Sequence, residues 1–524
     1  MNHRRIIVAF SVSRTRRVRS NGTRRVPTTK RRGMSLIIIV LLISITMAVS
    51  FAVVHSQAID ARVQQNATLR DSARQAALAG MSVALRTVHN SSWAGVGASI
   101  SRNLSPSESF TATFTTGDES LLQSDPAYAE YPYRVTIVST GYARDPDNAD
   151  RITSHRIQAV IRLIPRKIGA EPAGWSEIQA NTFCQWKKDS LSVNVPCRVE
   201  GPVRIRGTLD LCDDDIYWSS SPRWWYFSHL NTMRSNGYSD YRPFNGPMQI
   251  NYSEQRSGVI SRLTDALGVS VSDASSASTY TWTSATVDGS YRLYPGGKIY
   301  YAEALASDIS NTELKSNPIT NPLGIFTCAL DTRFNGNVSL QGTVIGGCDI
   351  NIHAGSNTFS SLTVPPYQHS DIPSSVRVRM PTAVVNDDFR VETDANLTFK
   401  GLVMAKDELI VLSDSQQHMN VNIQGKAAAA KLNIDPRSEW MMSSYWWADR
   451  ASTYYVYYYY TWYFPVWLNR SPYYLNYQPC IQIKPDSDTT PYHWYNGNEP
   501  LFQVDSAGGD AGLRWEVIRW TDNP

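Results

Sequence analysis

From Met34 to Val54 the chain reads MSLIIIVLLISITMAVSFAVV, 21 residues without a charge, a proline or a glycine. At ~1.5 Å rise per residue this run makes a helix of roughly 31 Å, the thickness of a bilayer's hydrocarbon core. The apolar pattern then changes period rather than stopping. Between Ser56 and Val88 there is no proline, and Ile59, Val63, Ala67, Leu69, Ala73, Ala77, Gly80, Ala84 and Val88 recur mostly three or four residues apart. That spacing predicts a helical stalk over 55–90 that continues the span at 34–54. Small residues dominate the stripe, which suits close approach to the chain's own domain, to neighbouring helices, or to both.

Two-residue alternation takes over next. Residues 133–141 and 153–163 alternate apolar and polar side chains around the turn-forming Asp145-Pro146-Asp147-Asn148-Ala149-Asp150. They predict an antiparallel hairpin inside a small β domain at 91–170. From about Cys197 short β runs are punctuated by glycine. The stretch 339–352, SLQGTVIGGCDINI, aligns with 398–411, TFKGLVMAKDELIV, and 421–425, VNIQG, is a third partial copy. One inward side chain every second residue, with glycine at a corner, is what a stacked coil needs. The fold class expected is therefore α+β, mostly β: a long N-terminal helix, a small antiparallel sheet, then a β-solenoid-like body (a right-handed parallel β-helix) over 171–435. Three copies are few, and an antiparallel sandwich is the alternative.

A less regular insertion is expected at 213–327. Within it, Tyr252 to Gly268 reads as a helix with Val259, Ile260, Leu263 and Leu267 on one side, and Pro295-Gly296-Gly297 as a turn between two strands. The remainder, 436–524, reads as an aromatic-rich cap ending in a strand at 513–520. Between Trp440 and Trp467, 14 of 28 residues are aromatic. Tyr454, Tyr458, Trp462 and Tyr463 are its candidate contact residues, for a carbohydrate or a protein. The competing reading is that these rings cover the open end of the solenoid.

Charge orients the span. The formal net charge is +4, but all eleven charges in 1–33 are positive, ending in Lys30-Arg31-Arg32. Removing them from the 50 basic residues leaves 39 against 46 acidic ones, a body of net charge −7. Eleven cations before the span and a charge-poor flank after it place 1–33 in the cytoplasm and the bulk outside it. The expected location is the inner membrane, crossed once, with a periplasmic or surface body. A mildly acidic body argues against nucleic-acid partners. A cleaved secretory signal is the alternative to an anchor, although 21 apolar residues exceed the usual core of about 7–15.

All six cysteines, Cys184, Cys197, Cys212, Cys328, Cys348 and Cys480, fall on the exported side, where disulfides form. Cys184 with Cys197, and Cys328 with Cys348, are the preferred pairs by proximity in sequence. None has the CxxC spacing of a zinc or redox site. Asp213-Asp214-Asp215 could supply paired carboxylates, but it follows Cys212 in a loop and nothing completes the set. There is no HExxH, GxSxG, P-loop or GxGxxG motif. The sequence therefore points away from an enzyme, and from any bound cofactor or metal.

A basic leader ending in Gly33, an apolar helix opening Met34-Ser35-Leu36, a continuing helix with Arg74-Gln75-Ala76-Ala77 and a hairpin carrying Ser139-Thr140-Gly141 together resemble a type IV pilin-like protein. The similarity covers residues 25–165. It is nearest to the PilX-type minor pilins and to the K-type minor pseudopilin of type II secretion. The resemblance implies cleavage by a prepilin peptidase between Gly33 and Met34, methylation of the new terminus, and helices that pack side by side in a filament. The chain departs from the major-pilin pattern at Ile38, where that pattern has a glutamate five residues into the mature helix. A buried carboxylate is costly unless a neighbour's ammonium pairs with it. A subunit without it suits a minor position. The function expected is assembly or surface contact, with a surface adhesin or a polysaccharide-binding or -degrading protein as the alternative.

Overall fold

The structure, a computed structural model, describes residues 34–523 apart from 91, 149, 193–196, 211–243, 267, 277–278, 283–288, 414–419, 437–480, 495–498 and 504–512. Met34–Thr87 is one helix of 54 residues, α1, as the two joined apolar patterns predict. The chain divides into two compact units, 1–68 and 69–524. Within the first, the side chains of 36–64 are all exposed.

In the second unit, Leu69, Ala73, Ala77, Met81, Ala84 and Val88 are buried. They pack on an antiparallel sheet of β1 (Ser99–Asn103), β2 (Glu108–Thr116), β3 (Arg134–Arg144) and β4 (Ile152–Pro165). The expected hairpin is β3 with β4, in register from Arg134↔Arg162 to Arg144↔Ile152. The small residues of the helix allow unusually close approach. A Cβ on Gly141 would lie 2.1 Å from the Ala73 carbonyl and 2.3 Å from the Ala77 nitrogen, so only glycine fits there. Ser139 Oγ donates to the Ala77 carbonyl at 2.7 Å, fixing the same contact. The C-terminal strand Leu513–Asn523 does not close the far end of the chain's body. It returns to this sheet and pairs antiparallel with β4, giving the order β1-β2-β3-β4-C-terminal strand.

The rest is dominated by a 20-stranded sheet whose pairings are all parallel. Successive passes of the chain return to the same lines and stack like residues on like. Leu340, Phe359, Phe399, Ile423 and Ile483 form one interior column, and Phe326, Val344, Ala383, Val403, Ala427 and Phe183 another. Every one of these side chains is buried. The aligned glycines fall at one corner: Gly342, Gly401 and Gly425 have φ of 149°, 147° and 146°, and Gly401 lies in register with Gly425. A Cβ on Gly425 would sit 1.9 Å from the Gly401 carbonyl. Both the dihedral and the space exclude a side chain.

The order of passes is not the order of sequence. Phe183 enters mid-stack, and the chain climbs through Val203 and Met248 to Val271. It then crosses to the other end, where, among the described residues, Asp308–Ser310 and Glu313–Lys315 are stacked on one side only. From there it returns inward until Ala427 pairs with Phe183. Within the region 213–327, Phe244–Asn245, Met248–Ile250, Val271–Asp273, Glu303–Ala304 and the strands that follow belong to this sheet, and 213–243 lie outside the described residues. The helix expected at 252–268 is broken into a 3-10 turn at Tyr252–Glu254 and the turns Val259–Ser261 and Arg262–Ala266, with Gly258 between them at φ +88°. Val259 and Leu263 are buried as expected, and Leu267 lies outside the described residues. Ser290–Arg292 and Ile299–Tyr301 form the two strands around Pro295-Gly296-Gly297. Ile481–Lys484, within the expected cap, completes a pass between 420–424 and 197–199.

One line of the stack is apolar on both sides. Val403, Ala383, Ala427 and Phe183 point inward, while their neighbours Met404, Val384, Ala428 and Cys184 point outward into a second core shared with the antiparallel sheet and α1. The continuous runs Ala383–Val385 and 427–430 follow from that double burial. Arg204, stacked beside Cys184, is the charged exception. It pairs with Glu177 at 2.7 Å with both side chains 5% exposed, Glu177 also accepts from the Tyr280 nitrogen, and Arg204 donates to Gln249 at 2.9 Å. Removing one member of a buried pair leaves an uncompensated charge. Arg204→Met should destabilise the fold by about 3–5 kcal/mol, and adding Glu177→Leu should recover most of it, as read by thermal or denaturant unfolding.

Candidate functional site

Leu36–Thr87 is the helix among the described residues that is long and apolar enough to cross a membrane. Two of its polar side chains are satisfied internally. Ser44 Oγ donates to the Val40 carbonyl at 2.8 Å and Thr46 Oγ1 to that of Leu42 at 2.9 Å, so these two hydroxyls need no water. Ile38 is 53% exposed on this surface and contributes no charge. Met34 opens the helix, and Gly33 lies outside the described residues.

The second feature is acidic. Lys187, Asp189, Ser190, Asp387, Asp388, Asp407, Glu408 and Lys431 line an open groove of about 590 Å³ on the flank of the parallel stack. It runs across the joint where the pass at 427–433 meets the pass at 183–192. Side-chain oxygens of Asp349, Asp387 and Asp388 all lie within 4.8 Å of one another. Burial, then the charges of Asp349, Glu408 and Asp387, push the Asp388 carboxyl up to about 6, against a bond from the Glu408 nitrogen that favours its ionised form. Asp387 is likewise raised, by burial and then by Asp349 and Asp407.

The backbone explains why carboxylates recur here. Asp331 accepts from the Asp349 nitrogen at 3.3 Å, Asp349 from the Asp388 nitrogen at 3.1 Å, and Asp388 from the Glu408 nitrogen at 2.9 Å. Each pass turns a corner at which one N–H points along the stack rather than across it, and the carboxylate of the adjacent pass receives it. Glu408 ends the series, bound to Lys431 at 3.0 Å and Asn433 at 3.2 Å. Sequence reasoning did not single these residues out. The signal was present nonetheless, since Asp349 and Glu408 stand seven residues after Gly342 and Gly401 in the aligned copies.

The expected disulfides are not formed: Cys184, Cys328 and Cys348 are free. Cys328 points into the interior and is in register with Gly346, two residues short of Cys348. Cys348 Sγ instead lies 3.7 Å from the Ala329 carbonyl. Cys184 belongs to the outward core, where burial pushes its thiol far above the usual range. The side chain of Cys197, its expected partner, is outside the described residues, as are Cys212, Cys480, Asp213-Asp214-Asp215, Tyr454, Tyr458, Trp462 and Tyr463.

No family model and no curated protein matches the chain. Among solved structures it is similar to the crystal structure of competence-associated pilin ComZ from Thermus thermophilus, at 10% identity over 87% of this chain and 98% of that one, with a TM-score of 0.24. A likeness at that score carries no argument about fold or function.

The thiols make the packing testable. In the native protein, alkylation followed by mass spectrometry should label Cys348, which is partly exposed, and spare Cys184 and Cys328 until the chain unfolds. A Cys328–Cys348 bridge in the unreduced protein would contradict the structure.

Proposed function

We propose that this chain is a membrane-anchored, pilin-like minor subunit of a type IV pilus or type II secretion pseudopilus, acting in filament assembly or surface contact rather than in catalysis. The observation that carries the reading is the division of α1: an exposed apolar stretch at 36–54, and a small-residue face at 69–88 buried under an antiparallel sheet through Gly141. A helix serving only as a core element would not present some twenty contiguous apolar residues to its surroundings. In this reading the span sits once in the inner membrane with residues 1–33 cytoplasmic, the partners are other pilin-like helices and a prepilin peptidase, and the stacked passes form a β-solenoid-like body outside the membrane.

The reading is tested at the amino terminus. The mature chain should begin at Met34 with a methylated amine, Gly33→Leu should block that processing, and the protein should leave membranes with detergent but not with high salt. An intact leader in a filament-competent strain would refute peptidase processing, and salt release would refute the anchor.

The groove bears on the polysaccharide-degrading alternative, which needs two free carboxylates. Asp349, Asp388 and Glu408 each already bind a backbone N–H or a neighbouring Lys and Asn. The Asp407 nitrogen donates to the Asp387 carbonyl at 3.2 Å, which sets the two carboxyls side by side. Their use within the fold supports the non-catalytic reading. The purified protein should release no reducing ends or unsaturated products from acidic or neutral polysaccharides, and release abolished by Asp387→Asn or Asp407→Asn would overturn it.

A further inference from the structure

The carboxylates at the corner of the stack are held closer than their charges favour. Asp349, Asp387 and Asp388 converge within 4.8 Å, and the fold keeps them there because two of the three receive backbone N–H groups from the adjacent pass. The surrounding charges are Asp331, Asp407 and Glu408 on the neighbouring passes, Lys406 beside Asp407, and Lys187, Asp189 and Lys431 across the groove. The nearest cations across the groove are engaged elsewhere: Lys431 with Glu408 at 3.0 Å and Lys187 with Asp189 at 3.1 Å. Among the described residues no ion pair joins a cation to any of the three. Like charges this close cannot all ionise freely, and they titrate as a group.

We propose that this corner is an acid-tightened clasp: folding gathers Asp349, Asp387 and Asp388 so that they take up a proton, and mild acid strengthens the contact between the pass at Ile350–Ile352 and the pass that begins at Phe389. The sign follows from linkage. The Asp388 carboxyl stands at about 6 in the folded chain against an ordinary 3.8. Its stabilising contribution is therefore complete below the ordinary value and is lost as pH rises through about 6. Asp118, Asp488 and Asp522 lie on the other side of the ledger. Hydrogen bonds and cations hold their carboxyls low, outweighing desolvation where it opposes, so they lose stabilisation only as pH falls below the ordinary carboxylate range. The two effects occupy different pH windows.

Thermal unfolding of the full chain in detergent and chelator separates them. Asn at position 388 keeps an oxygen for the Glu408 nitrogen and removes the charge. Asp388→Asn should melt higher than wild type at pH 7.5, by about 2 °C, and the difference should shrink by more than half by pH 4.5. An equal melting point at pH 7.5, or a difference that does not change with pH, would overturn the clasp. Should Asp388→Asn not fold, Asp387→Asn offers the same reading, because the Asp387 carboxylate binds no backbone nitrogen among the described residues. The gap should again shrink with acid, and no gap at pH 7.5 would likewise overturn the proposal.

Discussion

A parallel sheet that is apolar on both sides cannot meet water on either. The inward side chains of one line of this stack fill its interior, and the outward ones, Val384, Met404 and Ala428 among them, are just as apolar. A valine or methionine contributes about 1.5–3 kcal/mol when buried and an alanine less, and each contributes nothing when left wet. That line therefore requires a cover, and the antiparallel sheet with the end of α1 provides it. The junction is aromatic: Trp515 lies edge-on to Tyr294 at 5.2 Å and to Trp93 at 6.1 Å, Tyr133 meets Tyr367 at 5.6 Å, and the Tyr367 hydroxyl donates to the Leu163 carbonyl. The sheet and the stack share one core and form one unit.

The same constraint accounts for the route of the chain. Its last strand, Leu513–Asn523, comes back to β4 and brings Trp515 into the shared core. Nearby, Asp522 joins Arg74 of α1 at 2.7 Å and His155 of β4. The stack is also assembled from two runs that meet in its middle, Ala427 against Phe183. Contacts across that joint link residues about 245 apart, such as Gln185 Nε2 with the Ala430 carbonyl at 2.8 Å. Closing it is a non-local event that the entropy of a long loop opposes until the columns on both sides are formed.

Regular corners hold the passes in register. Glycines line one corner, where backbones approach too closely for a Cβ. Carboxylates line another, and asparagines do similar work at a third: Asn311 accepts from the Asn337 nitrogen and Asn337 from that of Ser356, both at 3.1 Å. Each device meets the same need, to satisfy backbone groups that the turn takes out of the ladder.

Local pattern alone determined much of this protein. The 54-residue helix, the β3–β4 hairpin and the stacking of 398–411 on 421–425 depend on period, turn chemistry and glycine placement, which neighbouring residues record in the sequence. The corner that gathers Asp349, Asp388 and Glu408 was half legible, through the equal offset of two of them from aligned glycines. Asp388 was not, because a 22-residue excursion at 361–382 separates its pass from the one before. Only the tertiary structure decided the mid-stack joint, the return of the C-terminal strand, the membership of 244–273 and 303–328 in the sheet, and the free state of Cys328 and Cys348. Those depend on which surfaces meet across hundreds of residues, and the free energy that selects them comes from burial shared between segments, of which no single segment carries a mark.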